Sequence, residues 1–151
     1  MSRRPLWLLV LSIILPTALI VAACGAGGES ATAPTVSDAW VRPPMGADRP
    51  AAGYLTIVGS GSADALVGAS SPIAASVEIH ETTMGSDGSM GMHGIPRLEI
   101  AAGATIGLEP GGYHLMLMGV TQMPAVGEMV EITLVFEHAG DVVVSAEVRA
   151  G

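Results

Sequence analysis

The punctuation of residues 37–151 most restricts what this chain can fold into. Apolar residues there arrive in short runs, many alternating with polar ones, and glycine or proline interrupts about every ten residues. A helix of ordinary length needs several uninterrupted turns of 3.6-residue periodicity, and no stretch of this region offers them. The region therefore reads as all-β. Strands are expected at Ala39–Arg42, Ala52–Val58, Ala65–Ala69, Ser76–Thr82, Arg97–Ile100, Thr105–Leu108, Tyr113–Met118, Val130–Glu137 and Val142–Arg149. Such spacing suits a two-sheet sandwich or a Greek-key barrel. Two turn-rich segments, EPGG at 109–112 and HAGD at 138–141, predict hairpins. Residues 83–96, TMGSDGSMGMHGIP, break the pattern and read as a glycine-rich loop.

The first residues follow different rules. Arg3 and Arg4 precede an almost wholly apolar run over 6–22, which ends in small residues and a cysteine, Val21-Ala22-Ala23-Cys24. This is the layout of a secretory signal, and the small-small-Cys ending resembles the lipoprotein type, in which the cysteine is lipidated and becomes the new N-terminus. A retained membrane span is the competing reading, but the run sits at the short end for one and contains Pro16. The expected organisation is a signal over 1–23, a flexible tether over 24–36 beginning with lipidated Cys24, and one domain over 37–151. The domain is expected outside the cytoplasm, held at a membrane by its lipid. Cys24 is the only cysteine, so the domain has neither a disulfide nor a thiolate metal ligand of its own.

The formal net charge is −8, there is no lysine, and the arginines beyond the signal are Arg42, Arg49, Arg97 and Arg149. Such a surface repels nucleic acid and favours cations or basic partners. No G-x-S-x-G, no nucleophile with a base and no carboxylate pair suggests an enzyme.

Strand periodicity sorts the remaining polar and sulfur-bearing side chains. In SVEIHETT, Val77 and Ile79 share one face while Glu78, His80 and Thr82 share the other. In YHLMLMG, His114, Met116 and Met118 lie opposite Tyr113, Leu115 and Leu117. Between the two strands lie Met84, Met90, Met92 and His93, in a segment with no core to fill. Thioethers are soft, neutral donors suited to Cu(I), and a thiolate-free set of imidazoles and thioethers is copper chemistry for an oxidising compartment. A blue-copper electron-transfer site would need a cysteine that the domain lacks.

These segments resemble the PCu(A)C periplasmic copper chaperones, whose motif is His, ten residues, Met, twenty-one residues, then His-x-Met. Twenty-one residues separate Met92 from His114, and Met116 completes His-x-Met. Eleven residues rather than ten separate His80 from Met92, the surplus falling in GSDGS at 85–89. DAWVRPPMGADRPAAGYLTI at 38–57, EIHETTM at 78–84, LEPGGYHLMLMG at 108–119 and GEMVEITLVFE at 127–137 also look like family segments. The resemblance implies a cupredoxin-like Greek-key β-sandwich and the ligand set His80, Met92, His114 and Met116, with Met90 as an alternative to Met92. It implies Cu(I) as the bound ion, with His93 available to a Cu(II) form. It also implies delivery to the binuclear copper centre of cytochrome c oxidase, alongside Sco-type thiol proteins. The glycine-rich loop 85–94 would let Met92 swing away during release. Copper storage or resistance would use the same ligands, and a metal-free interaction module would use the fold without them.

Overall fold

The computed structural model describes residues 32–46 and 49–150. The expected signal, Cys24 and most of the expected tether lie outside these residues. Ten strands are present: β1 (Thr35–Arg42), β2 (Ala51–Val58), β3 (Asp64–Ser70), β4 (Ser76–Met84), β5 (Met90–Gly94), β6 (Leu98–Ile100), β7 (Thr105–Leu108), β8 (Tyr113–Met118), β9 (Met129–Phe136) and β10 (Gly140–Val148).

Eight of them close a mixed barrel. Around its wall the order is β4, β8, β2, β1, β10, β9 and β3, and the ring closes where Ala69 of β3 pairs with Val77 of β4. β7 extends the line of β8 along the edge of β2. The β1–β10 pairing is parallel, which joins the first and last strands of the domain. β5 and β6 stand outside the ring, on the free edges of β4 and β3. Closure satisfies the backbone groups that an open sheet would expose at its edges. The neighbours are non-sequential in the manner of a Greek-key path.

Alternation fills the interior. In β9, Val130, Ile132, Leu134 and Phe136 are buried while the residues between them are more exposed. They meet Val41, Leu55, Ile57, Leu66, Ile79, Leu115, Leu117 and Val148 in one aliphatic core. Gly53 lies on the inner side of β2 opposite Leu115. A Cβ there would stand 3.3 Å from the Leu115 Cβ and 3.4 Å from a Leu117 methyl, so the missing side chain lets β8 pack close to β2.

Every expected strand is present, with ends that move by a few residues. β1 starts earlier, at Thr35, and takes up two residues that composition assigned to the tether. The alternation is hidden there because Asp38 adopts φ +52° and the β1–β2 register shifts between Ser37 and Trp40. Two expectations are corrected. The segment read as a loop over 83–96 is largely a β4–β5 hairpin, with Met84 opposite Met90 and a tight connection over 85–89. Gly88 takes φ +80° in that connection, and the Asp87 carboxylate accepts the Ser89 N–H at 3.0 Å. No periodicity announced β5 because all five of its residues are exposed, so neither face carries an apolar row. EPGG does not form a hairpin either. β7 and β8 both run antiparallel to β2 and are parallel to each other, so the turn only carries the chain from one to the next.

Candidate metal centre

Register brings the candidate residues onto one outer face. His80 of β4 and His114 of β8 are directly opposed partners, and their ring centroids are 5.9 Å apart. Met116 follows two residues after His114, opposite Glu78. On the other side of β4, Met92 pairs with Thr82 and Gly94 pairs with His80. Because partners across a ladder point the same way, His80, Met92, His114 and Met116 share this face. The Met92 thioether reaches past Thr82 until its Sδ lies 3.2 Å from Nε2 of His114.

The tautomer of a neutral His114 ring follows from its other nitrogen. Nδ1 donates to the Gly112 carbonyl at 3.1 Å, which leaves Nε2 as the lone-pair nitrogen of the neutral ring. A thioether has no proton to offer, so two lone-pair atoms face each other at contact distance. This arrangement suits a shared electrophile. His114 is buried while Met92 is 57% exposed, so the imidazole is fixed and the thioether is accessible.

His80 is held in a complementary way. Its Nε2 lies 2.9 Å from Oε2 of Glu78, and its Nδ1 is buried with no hydrogen-bond partner. A buried ring nitrogen without a partner is costly unless something else engages it. Carboxylate on one imidazole nitrogen and an open second nitrogen is the usual support for a ligating histidine. Gly94 makes room for this ring, since a Cβ there would come within 3.4 Å of Nε2.

Around these residues the outer face is shaped by β1 and β2. Tyr54 is buried, with its ring centroid 4.4 Å from that of Trp40 and 6.5 Å from that of His114. Ala52, opposite Met116, keeps the floor low. The result is a cleft of about 370 Å³ lined in part by Met92, Met116, His114, Tyr54 and Met90. Among the described residues no three His, Cys, Asp or Glu side chains gather closely enough to hold an ion. Any metal here therefore depends on the thioethers.

The two auxiliary candidates separate. Met90 lies on the same face as Met92 but one strand step further from His80, opposite Met84. His93 does not belong to the cluster. It points to the opposite side of β5, with Nε2 3.5 Å from Oε2 of Glu81. Strand alternation sets it on the face opposite Met92, an orientation that reading this segment as a loop had concealed. Sequence reasoning gave no role to Tyr54, Trp40 or Gly94, although the first two lie in a segment that carried the family resemblance.

A mixed β-barrel with imidazoles and thioethers gathered on one outer face defines a PCuAC-type domain. The copper-bound PCuAC domain from PmoF2 matches with a TM-score of 0.65 and 28% identity, over 77% of this chain and 92% of that one. Cu(I)-DR1885 from Deinococcus radiodurans matches with a TM-score of 0.64 and 36% identity, over 86% and 87% of the two chains. The chain belongs to the LpqE-like family, matching the description "Putative lipoprotein LpqE-like" over residues 34–148. A relative from Leifsonia xyli subsp. xyli (strain CTCB07), "Putative lipoprotein Lxx21020", is 34% identical over 122 residues, which are 81% of this chain and 73% of the relative.

Proposed function

We propose that this chain is an extracytoplasmic, lipid-anchored Cu(I) carrier whose ion is held by His80, Met92, His114 and Met116. The observation that carries the reading is the 3.2 Å approach of the Met92 Sδ to the lone-pair nitrogen of His114, beside a His80 ring whose Nδ1 is buried and unpartnered. Cu(I) is the soft ion that such neutral donors suit, and two thioethers beside two imidazoles disfavour Zn. The PmoF2 domain and DR1885 structures both hold copper, the latter as Cu(I). Met92 is preferred to Met90 because register sets it one step closer to both rings.

The site separates holding from release. The imidazoles belong to barrel strands and are well shielded, whereas Met92 projects from an edge hairpin. An acceptor's sulfur ligand would displace Met92 first, while the histidines keep the ion in place. Since Met92 sits on a paired strand, the side chain rather than the backbone makes this movement. That accessibility favours delivery over storage. The acceptor chemistry we propose is the binuclear copper centre of cytochrome c oxidase or a Sco-type thiol protein serving it. Lipidation at Cys24 would hold the carrier at the membrane where such acceptors reside.

The test is Cu(I) titration of the full chain against a chromophoric chelator, with X-ray absorption on the loaded protein. One ion per chain with mixed sulfur and nitrogen scattering is the expected result. A chain that cannot compete for Cu(I) ends the carrier reading and leaves an interaction module. Radiolabelled lipid that enters the wild type but not Cys24→Ser would establish the anchor.

A further inference from the structure

The charges around the cleft run against those of the molecule. The chain carries 14 acidic residues and a net charge of −8, yet among the described residues no carboxylate lines the cleft beside His114 and Met92. Two arginines do, Arg42 and Arg49. The other two arginines of the domain are engaged elsewhere: Arg97 pairs with Glu99 and Glu137, and Arg149 with Glu147. Among the described residues, neither Arg42 nor Arg49 meets a carboxylate. Arg42 instead lies over the Tyr54 ring, its guanidinium carbon 5.8 Å from the centroid, which holds the cation in place facing the cleft. The same rim exposes Met45 at 76% and Met90 at 67%.

We infer that this cleft docks an acidic, apolar-edged segment of a partner protein, and that this partner is the copper acceptor. The inference rests on the carrier reading for the acceptor's identity, but the docking chemistry stands on the cleft alone. Uncompensated guanidinium groups in an acidic protein are poor neighbours for a cation in transit and good ones for carboxylates. A small anion would satisfy the arginines but leave the two methionines in water, whereas a peptide segment covers both. The partner's acidic residues would be repelled by most of this surface and attracted only here. Encounter would then be steered to the one place where Met92 can be displaced.

The experiment titrates the copper-free full chain with a synthetic peptide of alternating glutamate and methionine, and with its glutamine-for-glutamate counterpart. The expected result is binding of the acidic peptide that weakens as salt rises, with little binding of the neutral one. Arg42→Gln/Arg49→Gln should lose roughly tenfold in affinity, the combined effect of two exposed ion pairs, and most of the salt dependence. Arg49→Gln alone, at an exposed position, should lose a smaller part. Equal binding of both peptides, no binding of either, or an unaffected double variant overturns the inference. Competition by free citrate as effective as by the peptide also overturns it, by assigning the arginines to a small anion. A parallel Cu(I) titration separates the two proposals. Peptide binding with no Cu(I) affinity removes the carrier reading only, and Cu(I) affinity with no peptide binding removes the docking surface only.

Discussion

Replacing Asp64 with alanine should destabilise the barrel by about 3 kcal/mol while leaving the metal face unchanged. Asp64 opens β3 and is buried, and its carboxylate accepts three backbone N–H groups: Ala65 at 2.7 Å, His138 at 3.0 Å and Ala139 at 3.0 Å. The last two belong to the β9–β10 turn, so this one side chain ties that turn to the strand beside it. Burial alone would push the carboxyl up, but the N–H donors and the nearby His138 outweigh it and hold the group below its ordinary value of 3.8. Hydrogen bonds to a charged group contribute about 1.5–3 kcal/mol each, less where the freed donors can take up water. The His138 and Ala139 donors are only partly buried, so about 1 kcal/mol per bond is a fair net value. The midpoint of thermal unfolding should then fall by roughly 12 °C for a domain of this size. Asp64→Asn keeps one acceptor oxygen but turns an N–H donor toward Ala139, and should lose about half as much. The pH dependence has a definite sign. A carboxyl with a depressed folded value contributes stability that is complete above 3.8 and disappears as pH falls through the folded value. Thermal melts of wild type and Asp64→Ala should therefore differ most near neutral pH and draw closer in acid. A difference that stays constant from neutral to acid pH would refute the assignment of that stability to the ionised carboxylate.

Other outcomes follow from the metal face. Met92→Leu should weaken Cu(I) retention by at least roughly tenfold, whereas Met84→Leu, further along the hairpin, should leave it nearly unchanged; equal effects measured by chelator competition would count against Met92 as a ligand. Glu78→Gln removes the charged partner of His80 Nε2 and should cost roughly tenfold in Cu(I) affinity, with little change in the melting temperature. Gly94→Val should crowd the His80 ring and reduce copper affinity, and unaltered binding in a folded variant would show that the ring has space to spare.

How much of this was readable beforehand depended on whether burial left a trace in the sequence. Leu115 and Leu117 alternate with His114 and Met116 because one side of β8 faces the core, and that two-residue period located the strand and set His114 and Met116 on one face. β5 carries no such record. It lies on the barrel's edge with both faces in solvent, so its glycines and methionines resembled a loop, and the opposite orientations of Met92 and His93 could not be read. EPGG has the composition of a hairpin turn, and only the shared partner β2 shows that β7 and β8 run in one line. The pairing of His80 with His114 and the stack of Tyr54 on Trp40 are contacts between distant segments, which composition cannot specify. The charge reading needed a finer scale as well. A net charge of −8 averages over the surface, and the cleft beside the methionines is where the average fails.

β1 enters the barrel at Thr35 and leaves it at Arg42, on the rim of the cleft. Those two ends are separated by roughly 20 Å of extended chain. An anchor at Cys24 would therefore join the barrel at the end of β1 away from the copper face. The reach of that face from an anchored Cys24 would be bounded by one strand plus the ten residues between Cys24 and Thr35. Shortening that leash would change which acceptors fall within reach while leaving every metal ligand untouched.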